Sequence, residues 1–305
     1  MKIVALAGGV GGAKLADGFA EILSPEDLTI VVNTGDDFEH LGLYISPDLD
    51  TVCYTLAGIA SPETGWGRAD ETWHFMENLE ILGGPTWFRL GDKDLATHLE
   101  RTRLLKAGQS LSEITAHFCT AWGVGPTVSP MSDQAVRTVV LSDEGELAFQ
   151  EYFVARRCSP HVSGFRFEGI EAALPAPGVL DAIYEAEAII ICPSNPWVSI
   201  DPILKVPGIL SAVKEKVVVA VSPIIGGKAV KGPAARMYKE LGIAPSAQAV
   251  AEHYGDLLAG FVIDSIDREL AKDLGLRALV TDTIMTRKED RIRLGKEVLS
   301  FTKDL

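Results

Sequence analysis

Four aspartates lie close together in the sequence and could hold a divalent cation. Asp36 and Asp37 follow a short apolar run, and Asp48 and Asp50 follow in a second polar, turn-like segment. Carboxylate oxygens suit Mg²⁺ or Ca²⁺, and Mg²⁺ typically bridges one or two carboxylates to substrate phosphates. One of these aspartates could instead accept a proton from an attacking hydroxyl, or cap a helix or turn. We favour a functional role for Asp37 and Asp50, and a capping role for Asp48, which follows a proline.

A glycine-rich turn closes the first apolar run and could bind phosphate. The segment Ala7–Lys14 contains Gly9, Gly11 and Gly12 between a strand pattern and a helix pattern. Glycines let the backbone approach a ligand, and a helix N-terminus favours an anion. The motif is neither a dinucleotide fingerprint, which needs a third glycine where Lys14 stands, nor a P-loop, which needs glycine directly before the lysine. A tight turn for close packing of strand and helix is the alternative.

Two later loops, like the first turn, each follow an apolar strand pattern. The sequences of these loops are polar or glycine-rich. One is bounded by prolines and offers hydroxyl and amide groups, and its alternative is a rigid proline turn. The other bears lysines that could face phosphates in an acidic protein, although solvated lysines are the ordinary case. The candidate phosphate or nucleotide contacts of these loops are Ser194, Asn195, Ser222, Gly226, Gly227, Lys228 and Lys231.

Alternating strand and helix patterns predict the scaffold that positions these loops. Apolar, β-rich runs separated by helical patterns are typical of a Rossmann-like, doubly wound, mostly parallel α/β sheet. The ligand crevice of such a sheet lies beyond the carboxyl ends of its strands, where the loops above are found. The predicted strands are Ile3–Ala7, Thr29–Val32, Ala188–Cys192, Val217–Val221, Gly260–Ile263 and Ala278–Val280. Predicted helices include Ala13–Leu23, Pro202–Val213, Ala234–Leu241, Ala247–Leu258 and Arg268–Leu274.

Two segments depart from this alternation. Residues from about 68 to 128 are rich in helix formers, and together with their flank they hold most of the tryptophans. We interpret them as a helical insertion over the sheet, within one α/β domain that spans residues 1–305. The runs Thr138–Leu141 and Leu147–Val154 flank a turn sequence and predict a small antiparallel annex.

Composition excludes several classes of protein. The net charge of −14 argues against a nucleic-acid partner, because such a surface is basic. The four cysteines are widely spaced, which favours buried free thiols over disulfides or a zinc site and suggests a reducing, cytoplasmic location. We recognise no signal peptide and no apolar run near the roughly 20 residues of a membrane span, so we expect no membrane partner. A homodimer is the default expectation.

Taken together, these segments resemble the CofD family, the 2-phospho-L-lactate transferases of coenzyme F-420 biosynthesis. The resemblance extends over most of the chain, and its motifs occur in a specific order. The matching segments are Ala7–Lys14, Asn33–Asp37, Pro47–Thr51, Gly65–Gly67 with Asp70–Thr72, Met131–Asp133, Pro193–Pro196 and Ser222–Gly227.

The resemblance implies a Mg²⁺-dependent transferase of the EC 2.7.8 type. Such an enzyme joins a phosphorylated three-carbon acid to the deazaflavin Fo. The donor is a guanosine diphosphate adduct, the ribityl hydroxyl of Fo attacks the phosphorus that bears the acid, and GMP leaves. The acid is 2-phospho-L-lactate, or phosphoenolpyruvate or 3-phosphoglycerate in related bacterial enzymes.

The resemblance and the residues together give a set of site assignments. Asp37 and Asp50 would hold Mg²⁺, and Asp36 would act as the base or support the ligands. The glycine turn with Lys14 and the two later loops would hold the guanosine diphosphate moiety. The resemblance assigns Fo contacts to Asp50 and Arg89. Thr51, beside Asp50, and Trp66, a wall for an aromatic ligand, complete the predicted Fo site.

Two other classes of function remain open. A uridine-diphosphate-sugar-binding regulatory protein of the gluconeogenesis-factor type would share the glycine-rich start and the fold. The segments Pro47–Thr51 and Gly65–Thr72 favour the transferase. A nicotinamide-dependent oxidoreductase is disfavoured by the missing third glycine and by Asn33, where an acidic ribose ligand is expected.

Overall fold

A computed structural model describes residues 1–230 and 232–305 of the chain, so Lys231 lies outside the described residues. The protein is built on β-strands and helices that alternate along much of the sequence. The strands are β1 (Ile3–Ala7), β2 (Leu28–Val32), β3 (Phe38–His40), β4 (Leu43–Ile45), β5 (Thr127–Pro130), β6 (Arg137–Ser142), β7 (Gly145–Ala148), β8 (Val162–Glu168), β9 (Ala188–Ile191), β10 (Val217–Val221), β11 (Ile224–Ile225), β12 (Lys228–Ala229), β13 (Gly260–Asp264) and β14 (Arg277–Thr281).

A seven-stranded parallel sheet forms the centre, with strand order β14-β13-β10-β9-β1-β2-β5. This confirms the predicted doubly wound α/β fold, and each of the six predicted strands is present. The strand β5 was not predicted; it pairs with β2 and lies at the edge of the sheet. The chain winds outward from β1 through β2 on one side, and through β9 and β10 on the other. The strand order therefore reverses between β1 and β9, which is where such sheets bind ligands.

Helices cover both faces of the sheet. In chain order they are α1 (Gly9–Ala20), α2 (Pro47–Leu56), α3 (His74–Ile81), α4 (Asp92–Lys106), α5 (Leu111–Ala121), α6 (Val179–Glu185), α7 (Asp201–Lys205), α8 (Ile209–Val213), α9 (Ala234–Glu240), α10 (Ala247–Tyr254) and α11 (Lys288–Lys303). Helices α1, α2, α5 and α11 pack on one face, and α6 to α10 pack on the other. Successive residues of β1 alternate between the two cores, as expected for a strand that is buried on both sides.

Several predicted boundaries differ from the structure. Helix α1 begins at Gly9, earlier than the predicted Ala13, so the glycine motif forms the first turn of the helix. The predicted helix Pro202–Val213 is broken into α7 and α8, since Gly208 adopts a left-handed φ of 94°. The helix predicted to reach Leu258 ends at Tyr254 and continues only as a short 3₁₀ turn. The predicted helix Arg268–Leu274 is also 3₁₀ and spans Ser265–Lys272.

The antiparallel annex is present, with strand order β7-β6-β8. The prediction of a strand over Leu147–Val154 is wrong beyond Ala148, because residues Glu151–Ala155 form a short helical turn instead. Tyr152 of this turn is fully buried in a cluster with Leu147 and Val162. Burial of this aromatic side chain accounts for the local override of strand propensity.

Helices α3 to α5 lie in the range predicted as an insertion, and α3 and α4 pack on the hairpin β3–β4. Ile45, Met76 and Leu90 are buried together, and Phe38, Trp73 and Phe88 pack against them. The hairpin was not predicted. None of the described helices is long and apolar enough to cross a membrane. All four cysteines are buried free thiols, as predicted.

Candidate active site

Three of the loops singled out in the sequence, those after β1, β2 and β9, meet at the carboxyl edge of the sheet. The turn after β1 and the loop after β9 are in direct contact, since the hydroxyl of Ser194 hydrogen-bonds to both backbone groups of Gly8. The loop after β2 joins them through Asn33, whose Nδ2 donates to the carbonyl oxygen of Val198 at 3.1 Å. This contact lies at the reversal of strand order, where the ligand crevice was expected.

Close packing is one reason for the glycines of the first turn. A Cβ on Gly11 would collide with the carbonyl oxygen of Pro193, and a Cβ on Gly12 would lie 2.6 Å from the Ser194 Oγ. Gly9, at the start of α1, has a positive φ of 62°, a backbone conformation that other residues rarely adopt. The packing alternative considered for this motif therefore holds at Gly11 and Gly12, and it does not exclude a ligand at the remaining surface of the turn.

The side chain of Asp48, a residue of α2, lies at the N-terminus of α1. Its carboxylate accepts the backbone N–H of Gly9, and its Oδ2 accepts the side-chain amide of Asn33 at 2.9 Å. Burial raises the pKa of Asp48 to about 6, although both hydrogen bonds favour the charged form. This is the capping role expected for Asp48. A carboxylate of the protein thus already engages the positive end of the helix dipole.

Asp36 and Asp37 are buried and each has one carboxylate oxygen, Oδ1, without a hydrogen-bond partner. The Ser46 hydroxyl donates to the other oxygen of Asp37 at 2.8 Å. Burial raises the pKa of Asp37 to about 7, against the opposing effects of Ser46 and of the charges on Arg137 and Arg101. Burial, together with the charges on Asp48 and Asp37, raises the pKa of Asp36 well above its usual value. Buried carboxylate oxygens left unpaired are costly, and a divalent cation would supply their missing partner.

Asp50 differs from its neighbours because an arginine already neutralises it. Arg101 on α4 forms a two-pronged pair with Asp50: Nη1 donates to Oδ2 at 3.0 Å and Nη2 donates to Oδ1. His98 Nδ1 lies 3.6 Å from Asp50 Oδ2, and Asp94 Oδ2 lies 3.3 Å from His98 Nε2. Among the described residues, Asp50, Asp94 and His98 have ligand atoms within 4.8 Å of one another. The guanidinium at the centre of this group makes it a poor cation site.

The residues predicted to contact the acceptor lie on different parts of the insertion and its borders. Thr51 is buried beside Asp50 on α2. Trp66 lies in the loop between α2 and α3 and is 49% exposed. Arg89 stacks its guanidinium 4.1 Å from the ring centre of Trp73. The structure thus gives Arg89 an aromatic partner and leaves about half of Trp66 exposed.

The remaining predicted phosphate contacts are partly used in shaping their own loops. Asn195 Oδ1 accepts the amide of Trp197, and the Ser222 hydroxyl accepts the amide of Ile224. Asp267 accepts the Gly226 amide at 2.9 Å, and Gly227 follows with a positive φ of 73°. Lys14 Nζ donates to the carbonyl oxygen of Met285 at 2.6 Å, and Lys228 is exposed on β12.

Sequence reasoning missed several residues of the site. Arg101, Asp94 and His98 lie on one face of α4, and their spacing of four and three residues was a visible signal. Nothing in the sequence showed that this face would meet α2. Ser46 and Arg137 were also missed. Ser46 follows the hairpin β3–β4 and Arg137 begins the annex, and both act on Asp37 only because these segments fold beside it.

Fold and site together define a Rossmann-like α/β protein with buried carboxylates beside a glycine-rich turn at the switch point of the sheet. Residues 3–288 match the family described as 2-phospho-L-lactate transferase CofD. The chain belongs to this family, which confirms the resemblance seen in the sequence.

Relatives with two different names match most of the chain. The chain is 44% identical to a phosphoenolpyruvate transferase of Streptomyces avermitilis, over 100% of this chain and 99% of the relative. It is 48% identical to a phosphoenolpyruvate transferase of Thermobifida fusca, over 88% of each chain. It is 41% identical to a 2-phospho-L-lactate transferase of Methanopyrus kandleri, over 100% of this chain and 99% of the relative.

Among solved structures, a UPF0052-family protein from Bacillus halodurans is similar, with a TM-score of 0.66 over 98% of each chain. The sequences are 15% identical. This similarity supports the fold and carries no information about activity.

Proposed function

We propose that this protein transfers a phosphorylated three-carbon acid from a guanosine diphosphate adduct to the ribityl hydroxyl of Fo, with release of GMP. The transfer would be a step in coenzyme F-420 biosynthesis. The observation that carries the proposal is the full-length match to relatives named as transferases of phosphoenolpyruvate and 2-phospho-L-lactate. The order of the motifs along the chain supports the same assignment.

The reaction needs positioning and charge neutralisation more than a covalent nucleophile. In phosphoryl-type transfer, charge develops on the phosphoryl oxygens while the attacking and leaving oxygens lie roughly in line. A water-excluded site that holds both substrates provides much of the rate enhancement. We place the diphosphate at the carboxyl edge of the sheet, over the surface where the first turn of α1 and the Ser194 loop meet.

Mg²⁺ is the cofactor that the carboxylates fit best. We assign Asp37 as its principal ligand and Asp36 as a further or supporting one, because each has a buried Oδ1 without a partner. Mg²⁺ bound there would neutralise the diphosphate and stabilise the departing GMP. The sequence assigned Asp50 to the metal as well, but its pairing with Arg101 favours a role in acceptor binding.

The acidic residues also offer a base for the attacking hydroxyl. Asp37 has a pKa of about 7, close to the range in which a carboxylate can both accept and release a proton at neutral pH. Asp36 is the candidate base proposed from the sequence, and burial, together with the charges on Asp48 and Asp37, raises its pKa. When Asp37 binds the metal, we take the adjacent carboxylate, that of Asp36, as the group that accepts the proton.

The acceptor site is assigned to the border of α2 and the insertion. Asp50 and Thr51 would bind the ribityl chain, and the exposed ring of Trp66 with the Arg89–Trp73 pair would contact the deazaflavin ring. Within this assignment the transferred acid is phosphoenolpyruvate, since the relatives carrying that name are 42–48% identical. Those named for 2-phospho-L-lactate are 39–41% identical.

A donor competition tests the function directly. Purified protein, Mg²⁺ and Fo receive equal concentrations of the enolpyruvyl, lactyl and glyceryl guanosine diphosphates, and the products are identified by mass. We expect coupled deazaflavin and GMP, with the enolpyruvyl product in excess. An excess of the lactyl or glyceryl product would overturn the donor assignment alone. No coupled product from any donor, together with no Fo binding by fluorescence, would overturn the function.

The regulatory alternative is separated by the same reagents. A nucleotide-sugar-binding protein would bind a uridine diphosphate sugar tightly and would leave Fo fluorescence unchanged. We retain the homodimer as a prediction, which light scattering on the purified protein can test.

A further inference from the structure

A chain of polar side chains extends from Asp50, and of its contacts the function proposed above uses only the Arg101–Asp50 pair. It runs from α2 into α4 of the insertion. The Tyr54 hydroxyl donates to Asp94 Oδ1 at 2.7 Å, and Asp94 Oδ2 lies 3.3 Å from His98 Nε2. On the other side of the ring, Arg101 Nη1 lies 3.3 Å from His98 Nδ1. The two-pronged Arg101–Asp50 pair completes the chain.

The geometry fixes the direction of the hydrogen bonds. A guanidinium can only donate, so His98 Nδ1 accepts from Arg101. His98 Nε2 lies 3.3 Å from Asp94 Oδ2 without forming a hydrogen bond, so the contact between these two residues is electrostatic. Asp94 is in turn held by Tyr54. Tyr54 therefore orients Asp94, and the Arg101 guanidinium is held between His98 Nδ1 and the Asp50 carboxylate.

Arg101 is unusual for its burial. Its side chain is 2% exposed, and it is the largest of the fully buried side chains. Removing a guanidinium and a carboxylate from water is unfavourable, and a well-packed apolar pair is often as stable. The Arg101–Asp50 ion pair is therefore not explained by stability alone. An apolar pair in its place would lose the fixed orientation of the Asp50 carboxylate.

The pair also bears on the metal. A cation bound by Asp50 and His98 would lie beside the Arg101 guanidinium, which is within 3.3 Å of atoms of both residues. Like charges at such distances repel strongly in a buried site. Asp36 and Asp37, in contrast, have unpaired oxygens.

We infer that Arg101 is a positioning residue, which holds the Asp50 carboxylate in a fixed orientation toward the acceptor substrate and away from the metal. His98 supports it by accepting a hydrogen bond from the guanidinium, and Asp94 lies 3.3 Å from the other nitrogen of the His98 ring. The inference rests on the proposed function, because it takes the acceptor hydroxyls to lie at Asp50. It also links the helical insertion to the catalytic edge of the sheet, since the supporting residues lie on α4 and Asp50 lies on α2.

The test compares Arg101→Lys with Arg103→Lys, a change on the same helix at an exposed arginine that pairs only with Glu100 among the interactions described. Lysine keeps the charge and removes the fork. We expect R101K to raise the KM for Fo by roughly tenfold or more while the KM for the donor stays unchanged, as for loss of a supporting residue. R103K should match the wild type. A purely structural effect would lower the amount of active enzyme and leave both KM values unchanged.

Metal affinity provides a readout that does not depend on activity. Binding of Mn²⁺ in place of Mg²⁺, followed by electron paramagnetic resonance, should be the same within about twofold for wild type, R101K and Asp50→Asn, and at least about tenfold weaker for Asp37→Asn. Should R101K fail to fold, Asp94→Asn decides the question by the same two measurements, with a smaller rise in the KM for Fo.

Three results are distinguishable. A wild type without transferase activity overturns the proposed function. An active wild type in which R101K and R103K share the same KM for Fo overturns the positioning role of Arg101. Weakened Mn²⁺ binding in D50N overturns the separation of Asp50 from the metal.

Discussion

The side chain of Ser194 joins the loop after β9 to the first glycine turn through Gly8. Its hydroxyl donates to the Gly8 carbonyl oxygen at 2.8 Å and accepts a hydrogen bond from the Gly8 N–H at 3.1 Å. Ser194 is 4% exposed, so no water replaces these bonds when they are lost. One side chain thus holds together the two loops beside which we place the diphosphate.

Replacement of Ser194 by alanine should weaken both the fold and donor binding. The buried amide and carbonyl of Gly8 would lose their partners, so we expect a loss of about 1–3 kcal/mol in the free energy of unfolding. The KM for the guanosine diphosphate donor should rise, because the two loops are no longer held in register. Denaturant unfolding and steady-state kinetics measure the two effects.

Ser211→Ala is the matched control for this change. Ser211 also donates to a backbone carbonyl, that of Gly208 at 2.9 Å, but it is exposed on α8. Its replacement should change the free energy of unfolding by less than about 0.5 kcal/mol. Equal effects of the two substitutions would contradict a structural bridge at Ser194.

Gly11→Ala should destabilise the protein although the position is helical. In an open helix, alanine is more stable than glycine by about 1 kcal/mol. Here a Cβ would collide with the backbone oxygen of Pro193, which cannot rotate away. We expect a net loss of about 1–3 kcal/mol, measured by denaturant unfolding. Gly164→Ala is the control, because its Cβ would lie at an ordinary 3.5 Å from Leu141; a stabilising G11A would show that the Ser194 loop is mobile.

The central sheet was predictable because its strands are buried on both faces, so that Ile3–Ala7 and Val217–Val221 read as continuous apolar runs. The start of α1 was not, since glycines are poor helix formers and the helix there depends on contacts with Pro193 and Ser194. Tertiary contacts decided these boundaries.

The acidic residues of the site and the capping role of Asp48 could be found from the sequence, but the separation of Asp50 from Asp36 and Asp37 could not. Their environments differ because Arg101 arrives from α4 and the Gly9 amide from α1. Both contacts join residues that are far apart in the chain, and neither follows from local spacing.

Asp37→Asn should abolish turnover while leaving the protein folded. Asparagine keeps the shape of the side chain and can still accept the Ser46 hydroxyl bond, but it offers the metal a neutral oxygen. We expect a loss of at least about 100-fold in kcat/KM, comparable to removal of other charge-stabilising groups in active sites. Asp143→Asn, which changes an exposed carboxylate that accepts the His161 amide in the annex, should leave kcat/KM unchanged. Turnover by D37N at the wild-type rate would remove Asp37 from the site.

The raised pKa of Asp37 gives a pH dependence of stability whose sign can be worked out. In the unfolded chain an aspartate has a pKa of about 3.9, whereas in the metal-free native protein Asp37 has a pKa of about 7. Between these values the native state binds more protons than the unfolded state, so the free energy of unfolding falls as pH rises through this window and levels off above pH 7. Asp36 and Asp48, whose pKa values are also raised, act in the same direction.

We therefore expect the protein in a metal chelator to lose on the order of a few kcal/mol of stability between about pH 5 and pH 8 through these groups. D37N should show a smaller loss, because its side chain does not ionise. Saturating Mg²⁺ should restore stability at pH 8 in the wild type more than in D37N, since binding to the native state alone adds to the free energy of unfolding. Urea unfolding at a series of pH values, with chelator or with Mg²⁺, measures all three effects. A wild type and D37N with identical pH profiles in chelator would show that the Asp37 carboxylate ionises freely in the folded protein, and the assignment of Asp37 as a buried carboxylate that needs a cation would then fail.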